Sequence, residues 1–575
     1  MTSTTATASP VTVDPVTVDP VTVEILRNAL TSAAEDMNAT LIRSAYSMII
    51  YEGGDCVVAL LDKHHQVLGQ SAGLPLFLGN IETCSKAVEE KYGRDVWRDD
   101  DVWILNDAYI GGTHLNDVTI FAPVFVDGVL VGFSATRAHW MDMGGKDVGA
   151  SMDSTDIFQE GFRMGPVKLI SQGVETDVVE LIQTNTRFPY QTVGDMHAMI
   201  AALRMGSIRM QELVRKYGLD VIEAARDEIF RQTEELELER VREIPDGVYS
   251  AEGYLDNDGI TLDVPIPIKL TVTVSGNQIE FDVTESADQT QGPVNCGVAQ
   301  AISALRVGYK ILVSPETNSN GGSFRPLTVK VREGSVLGAV APAACQWYFS
   351  HLGMLIDMVS RALAPALPNR VAAASHGDSM IITSAGFDPR VGRNWVSMEA
   401  TLGGWGAWEG ADGESALINN VNGSLQDFPI EMVETKWPFR IREYSIRPDS
   451  GGAGRWRGGN GVIREYEFLA DGVFGLWFER SMTPAWGLFG GDDAVGPEVV
   501  IDPGTPEEFR TLKVNARPAA KGTIIRLAVG GGGGYGNPEE RDLEAVRYDV
   551  ENGFVSAEQA QSDYGYTHDV LKSTP

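Results

Sequence analysis

The chain has 575 residues, with 79 acidic side chains against 46 basic ones and a net charge of −33. Such a field repels phosphate backbones and anionic lipid, which argues against nucleic acid and membrane surfaces as partners; solubility is the preferred reading of the charge. The length exceeds what one core fills, so several packed units are expected.

Residues 11 to 24 read VTVDP-VTVDP-VTVE, where the prolines disfavour regular structure, and residues 1–19 are expected to form a mobile tail. The tail lacks the positive cluster and apolar core of a secretory signal, and no apolar run is long enough to span a bilayer. TVEILRNALTSAAEDMNATLIRSAY follows, with Leu26, Leu30, Ala33, Met37, Leu41 and Ala45 at helical spacing. GGDCVVALLD, 53–62, reads as a buried strand, and the turn KHHQ places His64 and His65 at the surface. VTIFAPVFV and VLVGFSATRAHW flank Asp127-Gly128 and predict a β-hairpin with a type I′ turn. Residues 193–242 are expected to be helical, with the charged run RDEIFRQTEELELERVRE as a solvated face. Asp246-Gly247 then opens a strand-rich stretch. WYFSHLGMLIDMVSRALAPAL is helix-compatible, and 438–537 is β-patterned with many glycines. NPEERDLEAVRYDV closes the chain as a helix. Helices and strands mix without βαβ alternation, so the class is α+β and multi-domain. The expected parts are the tail 1–19, an α+β domain 20–245, a central α+β region 246–437 and a glycine-rich β region 438–575.

Cys56, Cys84, Cys296 and Cys345 lie far apart with no CxxC pair, so free thiols in a reducing cytosol are expected, and the localisation read from this is cytoplasmic. Cys56 follows Asp55 but takes the opposite face of an extended strand, which disfavours a thiol nucleophile beside it.

The chain has only eight histidines, and two of them bracket the hairpin. Pairing Val126 with Val129 puts His139 opposite Asn116, next to His114 and Asp117. Pro123 implies an edge or a bulge, with a possible register slip of one residue. Either way two imidazoles and a carboxylate converge at the open end of the hairpin. Two histidines and a carboxylate are a common set for Zn²⁺, Mn²⁺ or Fe²⁺ with open coordination positions, where a water is made more acidic. The alternative is that His114 caps a loop and His139 is a hydrogen-bonded strand end. Asp55 and Asp107 are further candidates as ligand, base or supporting partner, and Asp142 could orient His139.

On these residues the chain resembles the hydantoinase B/oxoprolinase family. GGTHLNDV and RAHWMDMGG carry the likeness, joined by DPVTVEILRNAL, NTRFPYQTVGD, NGGSFRP, RPDSGGAGRWRGGNG and GGGGGYGNPEERD. The resemblance implies a hetero-oligomer with a hydantoinase A-like subunit that binds ATP and Mg²⁺ and phosphorylates the carbonyl oxygen of a cyclic amide or ketone. It implies a divalent metal on His114, Asp117 and His139, with Asp55 as further ligand or base. In the amidohydrolase branch water opens the activated ring of a hydantoin, 5-oxoproline or related lactam. In the ketone carboxylase branch the activated enol takes up a carbon dioxide unit. This chain departs from the family pattern at Trp140, where many members have a second histidine, and at YEGGD, where many carry an Arg-Glu-rich run. Both departures bear on substrate identity.

The remaining candidates have plainer readings. VGGGGGYGNP lacks the Lys-Ser/Thr of a phosphate loop and reads as close-packed turns. His197 and His351 read as structural, His376 stays open, and His568 reads as exposed. Asp195 could face the site, and Glu431 with Glu434 reads as a solvated edge. The expected function is the metal-binding subunit of an ATP-dependent cyclic amide hydrolase. The alternatives are a ketone carboxylase subunit, which needs bicarbonate, and a non-catalytic scaffold for the ATPase partner.

Overall fold

The computed structural model describes residues 18–566. Most of the expected tail, through residue 17, and His568 lie outside the described residues. Asp19 opens the first helix, Pro20–Ser44, by accepting from the backbone N–H groups of Val21 and Thr22 at 3.1 Å. This satisfies donors that a helix start leaves free. Leu26, Leu30, Ala33, Met37 and Leu41 are buried along one stripe, while Ala45 caps the end and is half-buried.

Seven strands build the first sheet. They are β1 (Cys56–Asp62), β2 (Val67–Gln70), β3 (Val102–Leu105), β4 (Asp117–Val126), β5 (Val129–His139), β6 (Val167–Ser171) and β7 (Val174–Glu175). Their order is β2-β1-β5-β4-β3-β6-β7, and all neighbours are antiparallel. Every residue of β1 is buried, and strand alternation sends them to two cores. Val58 and Leu60 join Met37, Met199 and Leu203 from the helices Pro20–Ser44 and Pro189–Tyr217. Val57, Ala59 and Leu61 join Phe77 and Ile81 on the other face. The stretch expected to be helical from 193 to 242 is two helices, Pro189–Tyr217 and Leu219–Arg242, divided at Gly218.

The hairpin forms, with Val126 paired to Val129 across Asp127-Gly128. Both turn residues have positive φ, +50° and +79°, as a type I′ turn requires. The expected register holds only beside the turn. Val124 pairs with Gly132 and Phe125 with Leu130, so Val131 is an extra residue on β5. Beyond this bulge every pairing slips by one, and His139 lies opposite Asp117 rather than Asn116.

The other strands form three smaller sheets. β8 (Gly247–Leu255), β9 (Ile266–Ser275), β10 (Gln278–Asp282) and β11 (Leu327–Lys330) are ordered β11-β10-β9-β8, with β10 and β11 parallel. β12 (Ile381–Asp388) and β13 (Arg393–Glu399) pair in one sheet with β16 (Gly472–Trp477) and β19 (Lys513–Ala519). That sheet draws strands from both sides of residue 437. β14 (Phe439–Ile446), β15 (Val462–Phe468), β17 (Glu498–Ile501), β18 (Phe509–Arg510) and β20 (Ile524–Ala528) make the last.

The glycine run after β20 is threaded between other backbones. A Cβ on Gly532 would stand 2.0 Å from the Trp405 carbonyl oxygen, and one on Gly533 would stand 2.1 Å from that of Trp486. Glycine is there for close packing, which is the role expected of this run. No helix among the described residues is long and apolar enough to cross a membrane.

Candidate metal centre

The site lies where the hairpin opens. Asp117 begins β4, His139 ends β5, and the two are direct cross-strand partners. His114 arrives from the loop before β4. Asn106 donates to the Leu115 carbonyl at 2.7 Å, and Asn116 donates to the Trp140 carbonyl at 2.8 Å, so the loop is tied down on both sides. The three side chains are almost fully buried, at 4%, 1% and 4% exposure for His114, Asp117 and His139.

Their donor atoms converge. His114 Nε2 is 3.0 Å from Asp117 Oδ1 and 3.2 Å from His139 Nδ1, and His139 Nδ1 is 3.2 Å from the same carboxylate oxygen. His114 Nδ1 lies 3.0 Å from the Gln346 carbonyl oxygen. A carbonyl only accepts, so a proton on Nδ1 satisfies this contact, and the Gln346 side-chain amide nitrogen lies 3.1 Å from the same ring atom. The Asp117 carboxylate facing the ring is satisfied by a proton on His114 Nε2 or by a cation held among the three donors. Ligand bonds of about 2.1 Å give donor–donor edges of roughly 3.0–3.4 Å in octahedral or tetrahedral shells, which is the spacing found here. The donor set and its geometry therefore fit a divalent metal.

A supporting layer fixes these ligands. The Tyr348 hydroxyl donates to Asp117 Oδ2 at 2.8 Å, which leaves Oδ1 for the centre. Glu160 accepts from the backbone N–H groups of Cys345 and Gln346, each at 2.9 Å, and so holds the loop that carries the Gln346 carbonyl. Trp347 anchors the same loop by stacking on Trp477 at 5.3 Å. Burial pushes the Glu160 carboxyl up to about 7, against the pull of its hydrogen bonds. Burial also works against the Asp117 carboxylate, yet the charge and hydrogen bond of His114, with those of His139, hold it well below the ordinary range. For His114 burial disfavours the charged ring, but Asp117 outweighs it and raises the pKa.

Asp55 stands at the edge of this cluster. Its backbone carbonyl accepts from the His139 N–H at 3.1 Å. Its Oδ1 is buried and has no hydrogen-bond partner among the described residues, as is true of His139 Nε2. Burial raises the Asp55 carboxyl to about 6, with His139 pulling it down and Asp117 pushing it up. Asp55, His114, Asp117 and His139 line one cavity of about 40 Å³, with Ile49, Leu74, Phe349 and Ser379 among its walls. A water needs about 10–15 Å³ of such space, so the cavity has room for a few. Ser379 Oγ accepts from Asn419 and Asn422 at 3.0 and 2.9 Å, which leaves its own O–H as a donor.

Other expected candidates lie elsewhere. Asp142 pairs with Arg187 at 2.8 Å and does not orient His139. Asp107 caps the helix Ala108–Gly111. Asp195 accepts from the Tyr46 and Ser47 N–H groups, away from the triad. His65 is not at the surface. Its ring is buried, stacks on Phe133 at 4.7 Å and lies 3.2 Å from Glu89. The cause is Asp62, whose side chain accepts from His64 and Gln66 N–H and curls the turn inward, with His65 at φ +65°. His197 is exposed beside Glu175, while His351 and His376 are buried. Burial pushes the Cys56 thiol far up, which keeps it protonated. Sequence reasoning missed Tyr348, Gln346, Glu160 and Ser379. In the sequence WYFSHLG reads only as the start of a helix, and nothing in it marks Tyr348 for the site.

Comparison with known proteins narrows what a fold of four sheets with a buried His₂Asp cluster at a hairpin mouth belongs to. The hydantoinase B/oxoprolinase family model matches residues 19–538, so the chain belongs to that family. The caprolactamase subunit beta of Pseudomonas jessenii is 31% identical over 563 residues, covering 95% of each chain. The crystal structure of the ATP-dependent caprolactamase from that organism matches with a TM-score of 0.89 at 30% identity, over 96% of both chains. The 5-oxoprolinase of Dictyostelium discoideum is 26% identical, and the match spans 90% of this chain and 40% of that protein. An acetone carboxylase in its nucleotide-free form shares the fold, with a TM-score of 0.87 at 19% identity, over 96% of this chain and 80% of that one.

Proposed function

We propose that the protein is the metal-binding B-type subunit of an ATP-dependent cyclic amide hydrolase. The observation that carries this is the buried His114–Asp117–His139 cluster facing the unpartnered carboxylate of Asp55 across one small cavity. Family membership and the caprolactamase and 5-oxoprolinase relatives support the hydrolase branch.

His114 Nε2, Asp117 Oδ1 and His139 Nδ1 would hold Zn²⁺, Mn²⁺ or Fe²⁺. Such a cation, when bound, supplies Lewis acidity that polarises a carbonyl or an attacking water. The chain's own groups do the rest. Tyr348 keeps Asp117 ionised and oriented. Asp55, with Oδ1 free, takes the proton of the water that adds to the carbonyl carbon. Ser379 offers its O–H to the substrate's oxygen. The apolar walls at Ile49, Leu74 and Phe349 keep bulk water from the reacting carbon. Collapse of that adduct breaks the ring carbon–nitrogen bond, with the nitrogen taking up both protons of the added water by way of Asp55, and leaves an acyl phosphate that a second water cleaves to the carboxylate of the opened product and inorganic phosphate.

Activation belongs to a partner in this reading. An A-type subunit binds ATP with Mg²⁺ and phosphorylates the carbonyl oxygen of a hydantoin, 5-oxoproline or related lactam. The working enzyme is then a hetero-oligomer.

The test is ATP-dependent turnover by the co-purified complex, with hydantoins, lactams and ketones, with and without bicarbonate. Ring opening of a cyclic amide without bicarbonate is the expected result. Turnover of a ketone only when bicarbonate is present would replace the hydrolase with a carboxylase. Unchanged turnover in His114→Ala would reduce the chain to a scaffold. Full metal content and full activity in His139→Ala would remove the metal assignment.

A further inference from the structure

A second cavity lies on the other side of the segment 46–51, and Ile49 lines both cavities. At about 180 Å³ it is larger than the cavity at the metal centre, about 40 Å³. Three distant parts of the chain close on it: the turn after the first helix, the start of the helix Pro189–Tyr217, and the segments around β13 and β14. The near wall is fixed, because Asp195 accepts from the Tyr46 and Ser47 N–H groups at 2.7 and 3.0 Å. Phe188 and Tyr190, from the motif NTRFPYQTVGD, line it as well.

The lining has two unusual properties. Seven of its sixteen residues are aromatic, with Phe188, Trp395, Phe428 and Trp437 buried. In a chain with 79 acidic residues, none lines this cavity, yet Arg393 and Lys436 do. Both are exposed and neither makes an ion pair within 4 Å among the described residues, while Arg393 lies opposite Asp388 across the β12–β13 ladder and its charge helps lower that carboxyl. Lys436 Nζ stands 6.0 Å from the centre of the Tyr51 ring. Aromatic walls accept a planar ring edge-on or offset, and two exposed cations at the rim, with no acid lining the cavity itself, offer partners to an anion. An apolar cavity of about 150 Å³ takes benzene, so this one has room for a single ring with a short arm.

We propose that this cavity binds a small aromatic carboxylate, its ring among Tyr51, Phe428 and Trp437 and its carboxylate turned to Arg393 and Lys436. The inference stands apart from the metal reading, since none of the proposed metal ligands lines this cavity and Ile49 is the one wall residue the two share.

Calorimetric titration of the full chain with phenylacetate, phenylacetamide and acetate tests it. Phenylacetate is expected to bind at least about tenfold more tightly than its neutral amide, because only the acid makes charge-assisted hydrogen bonds. Acetate should give no binding heat. The exposed double change Arg393→Gln with Lys436→Gln should bring the acid down to the level of the amide. His139→Ala should leave the affinity for phenylacetate unchanged, which separates this cavity from the metal centre. Equal affinity for acid and amide, absence of binding at millimolar concentration, or loss of binding in His139→Ala would each overturn the proposal.

Discussion

His114 and His139 are as deeply buried as His351 and His376, yet the two pairs sit in opposite electrostatic surroundings. The hairpin pair faces the carboxylate of Asp117 at 3.0 and 3.2 Å. Among the described residues the His351 ring has as hydrogen-bond partner only the Cys296 sulfur at 3.2 Å, and the His376 ring only the Gly404 carbonyl at 3.2 Å. Burial therefore drives His351 down to about 3 and His376 to about 4, and both rings stay neutral. At the hairpin Asp117 reverses the balance and raises His114. Burial alone marks core packing. What separates the hairpin pair is a carboxylate within hydrogen-bond reach of both rings, which favours a bound cation or an added proton there.

The sharpest way to break this comparison is Asp117→Asn. It removes the negative charge while keeping the size of the side chain. Metal content by elemental analysis should fall from near one per chain to a small fraction. Turnover in the complex should fall by roughly 10³-fold or more, since several kcal/mol of charge stabilisation goes with the cation. If the chain retained its metal, the cluster would belong with His351 and His376 as packing.

Tyr348→Phe sharpens the contrast with less damage. It deletes one hydroxyl and leaves all three ligands in place, so Asp117 Oδ2 loses its donor. Metal affinity, read by competition with a chelator, should drop about 10–100-fold, as expected for the loss of a group that orients a ligand. The fold should be retained, because the ring still packs against Phe349 at 5.3 Å. Unchanged affinity would mean that Tyr348 only fills space.

How much of this was legible follows from where the information lies along the chain. The His-x-x-Asp pair is local, and the hairpin that brings in His139 is announced by Asp127-Gly128 and by alternation. The register was not legible. Pro123 signalled a bulge, but which residue it would expel, Val131, depends on packing across the sheet. Tyr348 and Gln346 reach the site from 231 and 232 residues beyond Asp117 and His114. No spacing rule connects such positions. Asp142 showed the opposite error: proximity to His139 in sequence suggested a partner, but the chain turns after β5 and delivers it to Arg187. His65 looked exposed because its neighbours are polar, yet Asp62 folds the turn inward.

The last test acts on the other half of the comparison. A histidine whose folded pKa is depressed favours the neutral ring, so the unfolded chain binds more protons between the two pKa values. The stability tied to His351 is present above pH 6.5, and it is lost as pH falls from there toward about 3. At pH 5 one such group accounts for about 2 kcal/mol. Buried carboxyls raised to about 7, such as Glu160 and Asp357, work in the opposite direction. They are common to the parent and to His351→Gln, and they cancel when the two are compared. Denaturant unfolding at pH 7 and pH 5 should therefore show a smaller acid-induced loss in His351→Gln, by about 2 kcal/mol, with bound metal unchanged. An equal loss in both chains would mean that His351 is solvated or paired in a way that burial beside Cys296 does not describe.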